Sequence, residues 1–445
     1  MKTAIDNRGS YSKCATAVGL TALSVFFCLV GCHNARKTLQ AKTGSRYLYI
    51  WMGDKDEKDD DFIAVVDVLE GSPTYGKVLT SQPVGLKGSM PHHFEYELPA
   101  PGQLLFANAH HLEKLIMVDF SDPLHPRVAK TLDPVPPYHY PHDISRLPNG
   151  HVLVGYLRSD GPSPTAGDND NPGNHGGIAE LDAQGNVVRT ASAAVPGYLL
   201  PIRTYALTPV PQIDRLITTS AVMMENNSAD VVQVWRLSDL KLLNTLEAPV
   251  ALLPNGKPLV THFRKTDQPS GKWMPFEPRV MRDGSVLLNA YGCGFYRLTN
   301  IGSAQPKLDN VYTIDVPASS ESGECAVPYI VNHYWLMPVG SMHAVISLDV
   351  NDPAHPVEVS RIVASGDFAS HWLAKDPKSN RLILGQEVGY ENRMLMLRVD
   401  PETGKIWWDE SFRSEDGSLG FSFVRNSWPH GNTGEATGHA ALFLP

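Results

Sequence analysis

One short unit returns along this chain at near-regular intervals and limits its fold more than any other feature. An apolar run ends in an acidic or polar turn, and a second run leaves it. The copies are Val65-Val66-Asp67-Val68, Met117-Val118-Asp119-Phe120, Ala179-Glu180-Leu181-Asp182, Trp235-Arg236-Leu237-Ser238-Asp239, Tyr296-Arg297-Leu298-Thr299-Asn300, Ser347-Leu348-Asp349-Val350 and Leu397-Arg398-Val399-Asp400. Two of them continue almost identically, as Ser121-Asp122-Pro123-Leu124-His125-Pro126 and Asn351-Asp352-Pro353-Ala354-His355-Pro356. A spacing of roughly 50–60 residues suits a four-stranded propeller blade, and about seven copies suit a closed ring. Long amphipathic helical patterns are not evident. Two β-sandwiches are the competing architecture. The repeats run from Asp67 to Asp400 without a linker-like break, which favours a single all-β, seven-bladed β-propeller over residues 45–445. The segment Phe421 to Leu444 is expected to close the ring on the first blade and so cover an open edge.

The first residues read as an address. Lys2, Arg8 and Lys13 precede an apolar run from Ala15 to Val30, too short for a comfortable span, that ends in Leu29-Val30-Gly31-Cys32. This resembles a bacterial lipobox, so residues 1–32 are expected to be a lipoprotein signal with Cys32 as the lipidated residue. Residues 33–44 would be a polar tether. An ordinary secretory signal and a plain membrane anchor are the alternatives. The expected location is the cell envelope, on a periplasmic or extracellular face, with the lipid as the only membrane contact. Cys293 and Cys325 then remain in the folded part, and an oxidising compartment favours a disulfide between them. A net charge of -9 with no basic stripe argues against a nucleic-acid partner. The acidic run Asp54 to Asp61 reads as a solvated loop, since the ligand spacing of a calcium loop is missing.

The first strand of each blade lines the central channel, and here the blade entrances carry chemistry. They read Met90-Pro91-His92-His93, Tyr140-Pro141-His142-Asp143, Pro201-Ile202-Arg203-Thr204-Tyr205, Phe276-Glu277-Pro278-Arg279, Glu324-Cys325-Ala326-Val327-Pro328 and Ala369-Ser370-His371-Trp372. The closing segment adds Trp428-Pro429-His430-Gly431 and Gly438-His439. A lone His in a Pro-His turn is ordinarily structural. Equivalent positions on a ring, however, would converge on one axis. Neutral imidazoles with a carboxylate make an open site for zinc, copper, iron or nickel. Asp143 could orient a neighbouring imidazole. Arg203, Glu277, Cys325 and His439 are expected around that site or its substrate. The competing reading is a polar channel of hydrogen-bonded histidines without metal. His110-His111 reads as a turn away from the mouth, and His125 and His355 as loop structure. No nucleophile elbow, P-loop or dinucleotide fingerprint competes.

The order of Met90-Pro91-His92, Tyr140-Pro141-His142, Val232 to Leu240, Ser370-His371-Trp372 and Trp428-Pro429-His430-Gly431 with His439 resembles the selenium-binding protein family, which includes bacterial copper-dependent methanethiol oxidases. The likeness spans about Pro91 to Phe443. It implies a seven-bladed propeller with a His-rich axial metal site, copper as cofactor and zinc as the alternative. It also implies oxidation of a small thiol by molecular oxygen to formaldehyde, hydrogen sulfide and hydrogen peroxide. By position, His92, His93, His142, His371 and His430 match as ligands. The chain departs from the family where Glu97-Leu98 runs into Pro99-Ala100 rather than a His pair, and it lacks the paired cysteines, so a selenium role has little support. Two functions are therefore weighed: a metal-dependent oxidoreductase, and a non-enzymatic propeller binding a protein or small ligand at the envelope.

Overall fold

The computed structural model describes residues 44–444, apart from 161–173, 199, 224–226, 260–273, 318–323, 388 and 391. The expected signal with Cys32, and all but the last residue of the expected tether, lie outside the described residues. Among the described residues no helix is long and apolar enough to cross a membrane. The strands form seven antiparallel sheets. Blade two spans Pro91–Phe94 to Arg127–Leu132, blade three Tyr138–Arg146 to Val187–Ser192, and blade four Thr204–Val210 to Lys241–Glu247. Blade five spans Pro275–Val280 to Lys307–Thr313, blade six Tyr329–Val331 to Val357–Val363, and blade seven Ser370–Lys375 to Ile406–Trp408. Each is ordered from its innermost strand outwards in chain order.

Blade one is built differently. Its inner strand is Ala436–Leu444, which pairs antiparallel with Tyr47–Asp54, Tyr47 facing Leu444. The ring is thus closed by the chain's last strand. The closing strand is shorter than the expected segment, because Phe421–Ser422 pairs with blade seven instead.

Burial explains why these runs read as continuously apolar. Middle strands such as Phe62–Asp67, Leu105–Ala109 and Tyr334–Val339 are buried throughout, because each blade is covered on both faces by its neighbours. Leu287, Phe295, Trp335 and Ile346 pack blade five onto blade six. Ile217, Val234, Leu288 and Tyr296 do the same for blades four and five. The outermost strands alternate, as in Val357–Val363, where Val357 and Val363 face solvent. Burying each large aliphatic or aromatic side chain contributes about 1.5–3 kcal/mol, so the blade interfaces supply most of the drive to close.

The repeated turns have one construction. Asp119 accepts from the Ser121 amide at 2.8 Å and Asp349 from the Asn351 amide at 2.8 Å. His125 and His355 each bond their own Asp122 or Asp352, at 2.9 and 2.8 Å. The acidic run is solvated only in its middle. Asp54 and Asp61 are buried, and Asp61 accepts from the Asp54 amide at 2.9 Å and the Ser89 amide at 2.8 Å. Cys293 and Cys325 form a disulfide that joins blade five to the entry of blade six.

Candidate metal centre

Every inner strand carries one residue more than its partner, and the extra residue falls at the same level of the ring. The register slips between Pro91 and Phe94, Pro141 and Ile144, Thr204 and Leu207, Pro275 and Pro278, and Ser370 and Trp372. In the closing strand it slips opposite Ile50 and Met52. In blade six Cys325 faces Val339 while Tyr329 faces Leu336. Such bulges bend a strand and re-aim its side chains. Met90, Tyr140, Met274 and Glu324, just ahead of four of them, hold positive φ between 48° and 57°. Left-handed backbone in non-glycine residues is strained, and such strain gathers at functional sites.

The first bulge residues form a closed ring about the axis. Going round, they are His92, His142, Tyr205, Phe276, Ala326, His371 and His439. Ring centroids lie 5.0 Å apart for His92–His142, 3.8 Å for His142–Tyr205 and 4.2 Å for Tyr205–Phe276. They lie 6.5 Å apart for Phe276–His371, where Ala326 intervenes in blade order. The circuit ends with 4.7 Å for His371–His439 and 4.1 Å for His439–His92. His93, the second bulge residue of blade two, stacks on His92 at 4.2 Å and lies 4.8 Å from Trp372. Gly385 allows the closing strand this close: a Cβ there would sit 2.7 Å from the His439 carbonyl oxygen.

His92, His93 and His439 are buried and can each offer a ring nitrogen such that all three lie within 4.8 Å of one another. Nδ1 of His92 and both ring nitrogens of His93 make no hydrogen bond. His142 joins them, its Nε2 lying 3.2 Å from Nε2 of His92. Its Nδ1 lies 2.9 Å from the Tyr205 carbonyl, which can only accept. Nδ1 therefore carries the proton, and Nε2 turns its lone pair towards Nε2 of His92. Burial, then the crowding of other imidazoles, holds the pKa of His92, His93 and His142 well below the usual range. Burial and His371 bring His439 down to about 3, against an opposing pull from Glu387 and the Gln386 backbone. These rings are neutral at physiological pH, the state in which imidazole binds a metal. Burying an acceptor without a partner costs about 1–3 kcal/mol, and a metal ion would satisfy the imidazole lone pairs together.

The structure corrects several sequence expectations. His430 lies off the axis, with Nδ1 2.6 Å from the Ser81 hydroxyl and its ring on Phe62 at 4.7 Å. Its Trp-Pro-His setting imitates a blade entrance, but the closing strand begins only at Ala436. His439, expected around the site, belongs to its core. His110, read as a turn residue, is buried 5.8 Å from His92, with Nδ1 bonded to the Pro141 carbonyl at 3.2 Å. Asp143 orients no imidazole. It accepts from the Ile144 amide at 2.9 Å and the Leu207 amide at 2.6 Å, tying blade three to blade four, and burial with nearby Glu277 raises it to about 7. Arg203 clamps backbone, donating to the Asn227 carbonyl at 2.7 Å. Cys325 is taken by its disulfide. Glu277 accepts from the Tyr96 hydroxyl at 3.1 Å and from Arg279 at 2.9 Å.

That last group forms a lid on one side. Tyr96 lies parallel to Trp372, 5.3 Å away, with Arg279 over its ring at 5.0 Å. Outside it is a groove of about 480 Å³ lined by Glu95, Tyr96, Leu98, Gln103 and Arg146, among others. Asparagines in second strands latch the bulges. Asn108 donates to the carbonyls of Pro141 and His142, both at 3.0 Å, and accepts from the His93 amide at 2.7 Å. Asn289 grips Cys325 and Ala326 likewise, at 2.7 and 3.1 Å.

No described protein family matches the chain, and no curated protein does. Solved structures share its fold. A hypothetical selenium-binding protein from Sulfolobus tokodaii superposes with a TM-score of 0.68 at 15% identity, covering 89% of this chain and 93% of that one. The periplasmic gluconolactonase of Pseudomonas aeruginosa gives 0.56 at 13%, covering 90% and 99%. A putative 6-phosphogluconolactonase from Bacteroides fragilis gives 0.55 at 9%, covering 84% and 95%. At such identities the likeness is one of fold.

Proposed function

We propose that this chain is a metal-dependent oxidoreductase of the cell envelope that holds copper on His92, His93 and His439, with His142 beside them, and oxidises a small thiol. The observation that carries the reading is the convergence of three buried imidazoles that can each turn one ring nitrogen to a common point. A structural histidine cluster would pair those nitrogens with protein groups. Bound copper would supply a redox couple and a soft partner for sulfur. The chain's own part is to fix the imidazole lone pairs, to keep bulk water from the axis, and to flank the ligands with Tyr205, Phe276 and Ala326. Those three make a dry wall for a small apolar group. The disulfide between Cys293 and Cys325 suits export to an oxidising compartment, in keeping with an anchor at Cys32.

Metal analysis of protein purified from residue 33 onward, without chelators or a His tag, tests this. About one copper per chain is expected, lost in His92→Ala and His439→Ala but kept in His430→Ala. Thiol-dependent oxygen uptake should follow the copper. Stoichiometric zinc alone would redirect the site to hydrolytic or structural roles. No metal after reconstitution would leave a non-enzymatic binding propeller.

A further inference from the structure

Among the ring imidazoles, His371 is set apart by its surroundings. Its Nδ1 is paired with Oε2 of Glu387, and the Tyr291 hydroxyl donates to that same oxygen at 3.2 Å. The Glu387 backbone is tied down, its amide donating to the Ala369 carbonyl at 2.9 Å. The His371 side chain is 3% exposed and that of Glu387 20%. His142 has a backbone carbonyl at the corresponding atom and His439 is held by the Gln386 backbone, whereas Nδ1 of His92 and both ring nitrogens of His93 make no such bond.

We infer that Glu387 is the positioning residue of this centre: its carboxylate, lying against Nδ1 of His371, keeps the hydrogen on that nitrogen and so turns the Nε2 lone pair of that ring into the imidazole cluster. This rests on the reading of the cluster as a metal centre. A carboxylate oxygen only accepts, so the Nδ1 facing it must carry the hydrogen, and Nε2 is left as the donor atom. A carboxylate-backed imidazole is also a stronger electron donor than one backed by a carbonyl or by nothing. The ring is therefore graded. Blade seven supplies its most basic member, blades three and one the backbone-supported ones, and blade two the unsupported ones. Glu387 and Tyr291 both stand one residue beyond the second-strand partner of their blade's entrance, Gln386 facing Ser370 and Ala290 facing Pro275. His110 holds that position in blade two, where Ala109 faces Pro91.

Two readouts test the assignment. In metal-free protein labelled with nitrogen-15 at histidine, long-range proton–nitrogen correlation reports each tautomer, and His371→Ala identifies the His371 signals. Wild type should show His371 as the Nδ1–H form. Glu387→Ala should shift it towards Nε2–H, and Glu387→Gln, whose amide oxygen still accepts, should restore it. In competition titrations against a chromophoric chelator, Glu387→Ala should weaken copper binding by roughly 10–100-fold, with Glu387→Gln in between. An Nε2–H form of His371 in wild type overturns the inference. So does a Glu387→Ala protein whose tautomer is unchanged and whose affinity stays within about twofold of wild type. Wild type that takes up no copper ends the metal reading, while the imidazole spectrum still decides whether Glu387 orients His371.

Discussion

The two halves of the axial ring share a backbone design and almost nothing else. Blades seven, one, two and three bring His371, His439, His92 and His142 to the axis, and blades four, five and six bring Tyr205, Phe276 and Ala326. Each side chain comes from a one-residue bulge in an inner strand. The fold therefore fixes where a side chain meets the axis, and one residue choice per blade fixes what it does there. The aromatic half is satisfied by packing alone. The imidazole half has His371 backed by Glu387 and His142 by a carbonyl, but it buries Nδ1 of His92 and both ring nitrogens of His93 without hydrogen-bond partners, an arrangement that loses stability unless something joins them.

The largest test of that contrast is acid. A ring held neutral by burial has its pKa depressed in the fold, so its stabilising share is present above the unfolded value of about 6.5 and is lost as pH falls. Each such ring costs up to about 1.4 kcal/mol per pH unit between the unfolded value and its own folded one, and the burden of several rings is set against a typical total of about 5–15 kcal/mol. Metal-free protein should therefore unfold cooperatively between about pH 6 and pH 4, as followed by circular dichroism. His439→Phe, which gives the imidazole half a residue of the other half, should move the midpoint lower. An unmoved midpoint would mean that acid attacks elsewhere. Next in size is Phe276→Ala, expected to cost about 3–5 kcal/mol in urea unfolding with metal content unchanged. Loss of metal there would show that the halves do not act separately. The smallest is the pair of latches. Asn108→Ala and Asn289→Ala should each cost about 1–3 kcal/mol, yet only Asn108→Ala should weaken metal binding, since only Asn108 holds the bulges of His93 and His142. Equal metal affinities would sever the latch from the site.

Much of the fold was legible because its turns repeat. The Asp-Pro pairs at Asp122 and Asp352, and the acidic ends of the third strands, mark blades through side-chain bonds local in sequence. The candidate site was legible where a proline announces the inner strand, as before His92 and His142. His371 was found because Ser370-His371-Trp372 opens a blade. The rest depended on register, which a single chain does not display. His430 follows a proline and is off the axis. His439 follows a glycine and is on it, because the bulge of the closing strand turns it inward. The place of His110 had a faint signal: Phe106-Ala107-Asn108-Ala109-His110 matches Leu287-Leu288-Asn289-Ala290-Tyr291. In each the Asn latches the next blade's bulge and the following residue-but-one flanks the ring.

The closing strand has one more consequence. Because Ala436–Leu444 supplies both the seam of the ring and His439, the propeller and its candidate centre are completed in one event. A chain emerging from its N-terminus would carry His92, His93 and His142 long before their fourth neighbour arrived. Until then they would be an open, partial set facing whatever metals the surroundings offer. Loading would then be tied to chain completion, and a species arrested short of the last strand would be recognisable by weak, exchangeable metal rather than by an absent fold.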